Sequence, residues 1–133
     1  MFDQILKHAD FPARAGLSAI FILSGVSKIG AFAATQVYME AFGLPGVLLA
    51  PTIAFEICAG TALLLGLGTR YVALLLAGFS LVTALVFHRA FGDQIQQIMF
   101  LKNVAMAGGL LLMAKTGAPS LSLVGVRANR AKA

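Results

Sequence analysis

The chain is expected to fold as an all-α bundle of four membrane spans, an integral membrane four-helix bundle with a short interfacial helix between spans 1 and 2. Three observations carry this expectation. Of 133 residues, 59% are hydrophobic and 11% charged, with no Trp and a mean hydropathy of +0.91; a soluble domain would carry roughly a quarter charged residues. Four apolar stretches, each near the roughly 20 residues that a helix needs to cross a bilayer, make up most of the sequence. Gly and Pro punctuate the gaps between them, and no strand pattern competes.

Span 1 is expected over residues 12–29, with Pro12 in its first turn and Asp10 as its cap. Span 2 covers residues 47–67 and stops at Gly66 and Gly68. Span 3 covers residues 69–88; the short turn before it makes spans 2 and 3 antiparallel neighbours. Span 4 runs from Asp93 or Ile95 to Lys115, where Gly117 and Pro119 end it. Between spans 1 and 2, Ala34, Val37, Tyr38, Ala41 and Phe42 recur at helical spacing before Gly43 and Pro45. That segment is too short to span, so it reads as a helix lying at the interface. Residues 1–117 thus form one membrane domain, and residues 118–133 a basic cytoplasmic tail. Gly16, Gly60, Gly78, Gly108 and Gly109 read as positions where helices approach closely.

Net charge is +5, but its placement matters more. With the N-terminus inside, Lys7, Arg14, Arg70, Lys115, Arg127, Arg130 and Lys132 fall on the cytoplasmic side, against Lys28 and Arg89 outside. The excess favours N-in, C-in. The tail cluster Arg127, Arg130, Lys132 has no interleaved aromatics, so it reads as a topology signal or a contact to anionic lipid heads, and no nucleic acid is expected. No removable signal peptide is expected, since residues 1–14 carry four charges and no cleavage site follows a short apolar core. Cys58 is the single cysteine, which excludes an intrachain disulfide and a CxxC redox pair and leaves it as small apolar filler in span 2.

Glu56 is the most informative residue. It lies near the middle of the apolar run 46–68 with no other charge in it. A carboxylate at that depth is costly and points to a site with a partner. At 1.5 Å per residue, Glu56 lies roughly 15 Å below Gly46, and Lys102 roughly 10–14 Å below the start of span 4. The matched depths make Lys102 the favoured partner of Glu56, with Lys28 as the alternative. Arg14, Leu17, Phe21, Ser24 and Lys28 follow 3-4-3-4 steps along one face of span 1, so Ser24 and Lys28 can face the interior together. Ser80, Ala84 and His88 share a face of span 3, with Thr83 beside it. Lys28 and Arg89 also suit snorkelling anchors, His88 an interfacial histidine, and a Glu56–Lys102 pair a purely structural tie between spans 2 and 4.

No His/Cys/Asp/Glu cluster has metal-ligand spacing, and His8 and His88 fall on opposite membrane faces, so no metal or haem is expected. There is no phosphate-binding glycine loop and no convincing Ser/His/Asp set. What remains is an acid (Glu56), amines (Lys28, Lys102), an imidazole (His88) and an amide (Asn103) among Phe and Leu. That set suits a flat apolar molecule with polar oxygens, such as a quinone: the amines and imidazole donate to its oxygens and the acid passes a proton. It also suits a protonated small solute.

At these residues the chain resembles the DoxX family, in its YqjF-like branch of bacterial inner-membrane proteins. The resemblance rests on an ordered set of elements over residues 14–117. These are Arg14-Ala-Gly, Ser24-Gly25-Val26-Ser27-Lys28, Tyr38-Met39-Glu40-Ala41, Gly43-Leu44-Pro45-Gly46, Glu56, Gly66-Leu67-Gly68-Thr69-Arg70, Phe87-His88, and Phe100-Leu101-Lys102-Asn103 with Gly108-Gly109. It implies a four-helix inner-membrane protein, quinone-linked redox such as that of thiosulfate:quinone oxidoreductase, responses to quinone-like or oxidative stress, and soluble or membrane redox partners. Positions Arg14, Lys28, Glu56, His88, Lys102 and Asn103 match.

The expected function is therefore a quinone-linked oxidoreductase subunit that binds a quinone-like molecule in the outer half of the bundle. Glu56 would handle the proton with Lys102 as its charge partner, while Lys28, Ser24, His88 and Asn103 contact the ligand. Two other classes stand beside it: a non-catalytic scaffold docking a soluble redox enzyme, and a small-solute or proton carrier, for which a homo-oligomer would have to enlarge the cavity.

Overall fold

Helices form where apolar side chains outnumber polar ones, and they break at glycine. The structure, a computed structural model, describes residues 1–118. Its helices are α1 (Phe2–Lys7), α2 (Asp10–Gly30), α3 (Phe32–Ala41), α4 (Leu49–Leu65), α5 (Thr69–Phe87) and α6 (Gln94–Thr116), with a 3-10 turn at Gly46–Leu48 leading into α4. Gly46–Leu65, Thr69–Phe87 and Gln94–Thr116 are each long and apolar enough to cross a membrane, and α2 with α3, bent by 104° at their junction, makes a fourth span if counted as one broken element. The chain is an all-α membrane bundle. Of the expected tail, residues 118–133, all but Ala118 lie outside the described residues.

The local signals are mostly those expected. Asp93 caps α6, its carboxylate accepting from the Ile95 N–H at 2.8 Å. Gly66, at φ +72°, closes α4: Leu67 N–H donates to Ala62 O and Gly66 N–H to Leu63 O, the paired bonds of a Schellman end. Asp10 differs from expectation. It is the first residue of α2 rather than its cap, and its carboxylate lies 3.6 Å from Arg14. α1, whose Phe2, Ile5 and Leu6 are exposed, is a further helix outside the expected elements.

Packing inverts the pattern of a soluble protein. Large side chains such as Leu75 (61% exposed) and Leu112 (67%) face outward, while α5 presents the small residues Ala73, Ala77, Ser80 and Ala84 inward, all nearly fully buried. Water would not tolerate such a surface, but lipid does, and small inward residues let helices approach closely. The closest-packed partners are α2 with α4 and α5 with α6, with fewer contacts between the two pairs. The short Gly66–Gly68 turn makes α4 and α5 neighbours, but it does not make them the tightest pair.

Glycine explains the α2–α4 seam. A Cβ on Gly60 would lie 2.9 Å from Ile22 Cγ1 and 3.3 Å from Ile22 N, and one on Gly25 would lie 2.7 Å from Ile57 Cγ1. Gly16, Gly78 and Gly108 meet nothing within 4 Å, so they are not close-approach positions. Gly60→Ala should therefore cost about 1–3 kcal/mol by overpacking, whereas Gly108→Ala should be neutral or stabilising, because alanine is the better helix former. Reversible unfolding in mixed dodecyl sulfate micelles would separate the two. Cys58 lies on the exposed face of α4, not in the packed interior.

The core is asymmetric along the bundle. Phe21, Leu63, Leu76, Ala107, Leu110 and Met113 pack together in the half remote from α3. Toward α3 only a small cluster of Met39, Leu49 and Ile53 forms. Between the two helix pairs the α3 half is left open as a cavity.

Candidate functional site

Glu56 is 3% exposed and sits on the α4 face that meets α2. Its partner is Lys28. Lys28 Nζ donates to Glu56 Oε1 at 3.0 Å and Oε2 at 2.9 Å, and also to Ser24 Oγ. Ser24 Oγ in turn donates to Glu56 Oε1 at 3.0 Å. All three ammonium protons are used, and the carboxylate accepts three bonds. This corrects two sequence expectations: Glu56 is paired with Lys28 rather than Lys102, and Lys28 turns inward rather than snorkelling.

The reason lies in side-chain direction, which a depth comparison ignores. Side chains lean toward the N-terminus of their helix. On α2 that direction leads from Lys28 down into the bundle; on antiparallel α4 it leads from Glu56 up toward the α3 end. The two converge across the Gly25–Gly60 seam. Lys102 shares the depth of Glu56 but sits on α6, which packs on α5, and it remains exposed.

The ion pair forms one wall of a cavity of about 540 Å³, within the range of small-molecule sites. Ser24, Lys28, Glu56, His88, Lys102 and Asn103 all line it, among side chains such as Phe21, Phe79, Val82 and Met106. These six candidate residues therefore border one space, whereas Arg14, the other family-matched position, does not line it.

The opposite wall comes from α5 and α6. His88, which follows the last residue of α5, has Nδ1 2.8 Å from Gln96 Oε1. With Nδ1–H donating to that oxygen, a neutral ring keeps Nε2 as an acceptor. Asn103 donates to Met99 O at 3.0 Å, and its Oδ1 lies 3.3 Å from the Thr83 hydroxyl, whose nearer acceptor is Ser80 O at 2.9 Å. One Asn103 amide proton is left for a ligand.

The α3 end of the cavity was not foreseen. Thr35, Tyr38 and Met39 line it. Tyr38 stacks on Phe87 (centroids 5.4 Å, interplanar 20°) and Phe42 meets Phe87 edge-on at 5.1 Å, so three rings tie α3 to the end of α5. Gln36 Nε2 donates to Gly46 O at 3.2 Å and fixes the return to α4. The helical spacing of Tyr38 and Phe42 was visible in the sequence; their contact with Phe87, some 45 residues on, was not. Gln96 was missed for the same reason, since nothing local marks it as a partner of His88.

The DoxX family profile matches residues 9–89, more than half of the chain and most of this site. The chain belongs to the DoxX family. Inner membrane protein YqjF of Escherichia coli (strain K12) is 44% identical over 111 residues, covering 84% of this chain and 85% of that protein. Inner membrane protein YphA of the same organism is 38% identical over 118 residues, covering 84% of each. No solved structure matches. The DoxX match ends at residue 89, so Asn103 and Lys102 of α6 lie beyond it, while Ser24, Lys28, Glu56 and His88 lie within it.

Proposed function

We propose that this DoxX protein resides in a bacterial inner membrane, the location that the names of its relatives state for them, and binds a quinone or quinone-like molecule in its cavity to support electron transfer. One observation supports the reading: an acid, two amines, an imidazole, an amide and a hydroxyl (Glu56, Lys28, Lys102, His88, Asn103 and Ser24) line one mostly apolar cavity inside the bundle. The aromatic and aliphatic walls suit a flat ring, and the polar groups suit its oxygens.

In this reading Glu56 is the proton-handling acid. Lys28 and Ser24 hold its carboxylate in place through three hydrogen bonds. His88 offers an acceptor for a quinol hydroxyl, and Asn103 offers an amide proton to a carbonyl. Reducing a quinone to a quinol takes two electrons and two protons; the cavity supplies the proton path, and a soluble or membrane-bound redox enzyme supplies the electrons. An N-in, C-in orientation, favoured by Lys7, Arg14, Arg70 and Lys115 at the end remote from α3, places the cavity in the outer half of the bilayer.

The test is organic extraction and mass spectrometry of lipids co-purified with wild type and with Glu56→Gln. Gln keeps an acceptor for Lys28 and Ser24, so the fold should persist by circular dichroism. A stoichiometric quinone in wild type, reduced about tenfold or more in the variant, is the expected outcome. Absence of quinone from both proteins, together with no response to an added quinone analogue, would favour the scaffold reading, in which Glu56–Lys28 merely ties α2 to α4.

A further inference from the structure

With Lys28 assigned to Glu56, the charges lining the cavity no longer balance. Lys28 and Glu56 cancel. Lys102, on the far wall, has no hydrogen bond or ion pair among the described residues. The other acids of α2–α6 do not line the cavity: Asp10 lies beside Arg14, Asp93 caps α6, and Glu40 is exposed near the end of α3. Lys102 is the ninth residue of α6, so its Cα lies roughly 12 Å along the helix from Gln94. A lysine at that depth is expensive unless it faces a polar cavity or an anion.

The donor inventory sharpens the point. An ammonium has three protons. Those of Lys28 are all spent on Glu56 and Ser24, whereas those of Lys102 are all available. A neutral quinone offers carbonyl acceptors but no charge to offset a second ammonium. An ionised oxygen offers both, and charge-assisted hydrogen bonds are about twice as strong as neutral ones. Phe21, Tyr38, Phe79 and Phe87 supply ring faces along the same cavity. We infer that Lys102 is an anion-binding residue and that the cavity selects an acidic aromatic, a quinone- or phenol-type ring carrying an ionised oxygen, over its neutral analogue. The inference rests on the quinone-type reading above and narrows it.

The experiment compares two probes that differ in charge and little else: a hydroxynaphthoquinone that is ionised at neutral pH, and its neutral methyl ether. Binding is measured by calorimetry to the full-length protein in phosphatidylcholine nanodiscs. The ionised probe should bind about tenfold tighter than the ether. Lys102→Met should bring that ratio to about one, chiefly by weakening the ionised probe, and Lys102→Arg should keep the preference. Equal binding of both probes to wild type, or an unchanged ratio in Lys102→Met, overturns the inference and leaves the quinone reading standing. A preference lost when phosphatidylglycerol is added assigns the Lys102 subsite to lipid phosphate and also overturns it. Binding of neither probe overturns both readings.

Discussion

Lys28→Met is expected to destabilise the protein by about 3 kcal/mol, near the lower end of what breaking a buried pair costs. Lys102→Met is expected to change stability by less than about 0.5 kcal/mol, as for a site without partners in the fold. The contrast follows from geometry. Removing Lys28 strips two bonds from a carboxylate that is 4% exposed and leaves Ser24 as its remaining partner. The surviving acid must stay charged in hydrocarbon or take up a proton, and either route raises the energy of the folded state. The low end of the range applies because the Lys28 side chain keeps 26% of its surface exposed and because protonation gives Glu56 a way out. The double variant Lys28→Met/Glu56→Gln should recover most of the loss, since replacing both partners removes the stranded charge. Reversible unfolding in dodecyl sulfate micelles would yield the cycle. A large effect of Lys102→Met with a small one for Lys28→Met would reverse the assignment of the pair.

That cycle also marks where sequence reading stops. The spans were legible because each is a long apolar run closed by Gly, Asp or Pro, a signal carried within about 20 neighbouring residues. The inward face of α2 was legible too: the 3-4-3-4 steps from Arg14 to Lys28 place Phe21, Ser24 and Lys28 toward the interior, and the structure keeps them there. The identity of the partner of Glu56 was not legible. Depth is a one-dimensional quantity, and Lys28 and Lys102 both satisfy it. The decision rests on which helices pack together, and the glycines that decide this had to be told apart. Gly25 and Gly60 are filled by facing side chains, while Gly16, Gly78 and Gly108 look the same in sequence and face open space. Long-range partners such as Phe87 for Tyr38 and Gln96 for His88 share this limit. Each is set by tertiary packing and leaves no local trace.

Arg14→Met is expected to have the other large effect on stability, about 3–5 kcal/mol, and it acts at the end of the bundle remote from the cavity. From sequence, Arg14 counts as one of several cytoplasmic positive charges. In the fold it is fully buried. Its Nη1 donates to Leu64 O at 2.6 Å, with Leu63 O at 3.4 Å, and its guanidinium lies beside Asp10 and over the Phe11 ring. The Schellman closure of α4 satisfies Ala62 O and Leu63 O but leaves Leu64 O over. An orphan carbonyl at a span end has little water to turn to. Arg14 supplies the missing donor, and its charge complements the negative end of the α4 dipole. Arg14→Met would remove the donor to the Leu64 carbonyl and the positive charge beside the Asp10 carboxylate. Arg14→Lys keeps the charge but not the planar fork that serves a carbonyl and a carboxylate together, so it should lose one charge-assisted hydrogen bond, about 1.5–3 kcal/mol. Because Arg14 does not line the cavity, either variant, once folded, should bind the ionised naphthoquinone as wild type does. Weakened binding by folded Arg14→Lys would show that α2 transmits strain from its buried arginine to Lys28, fourteen residues along the same helix, and that the two ends of the bundle are not independent.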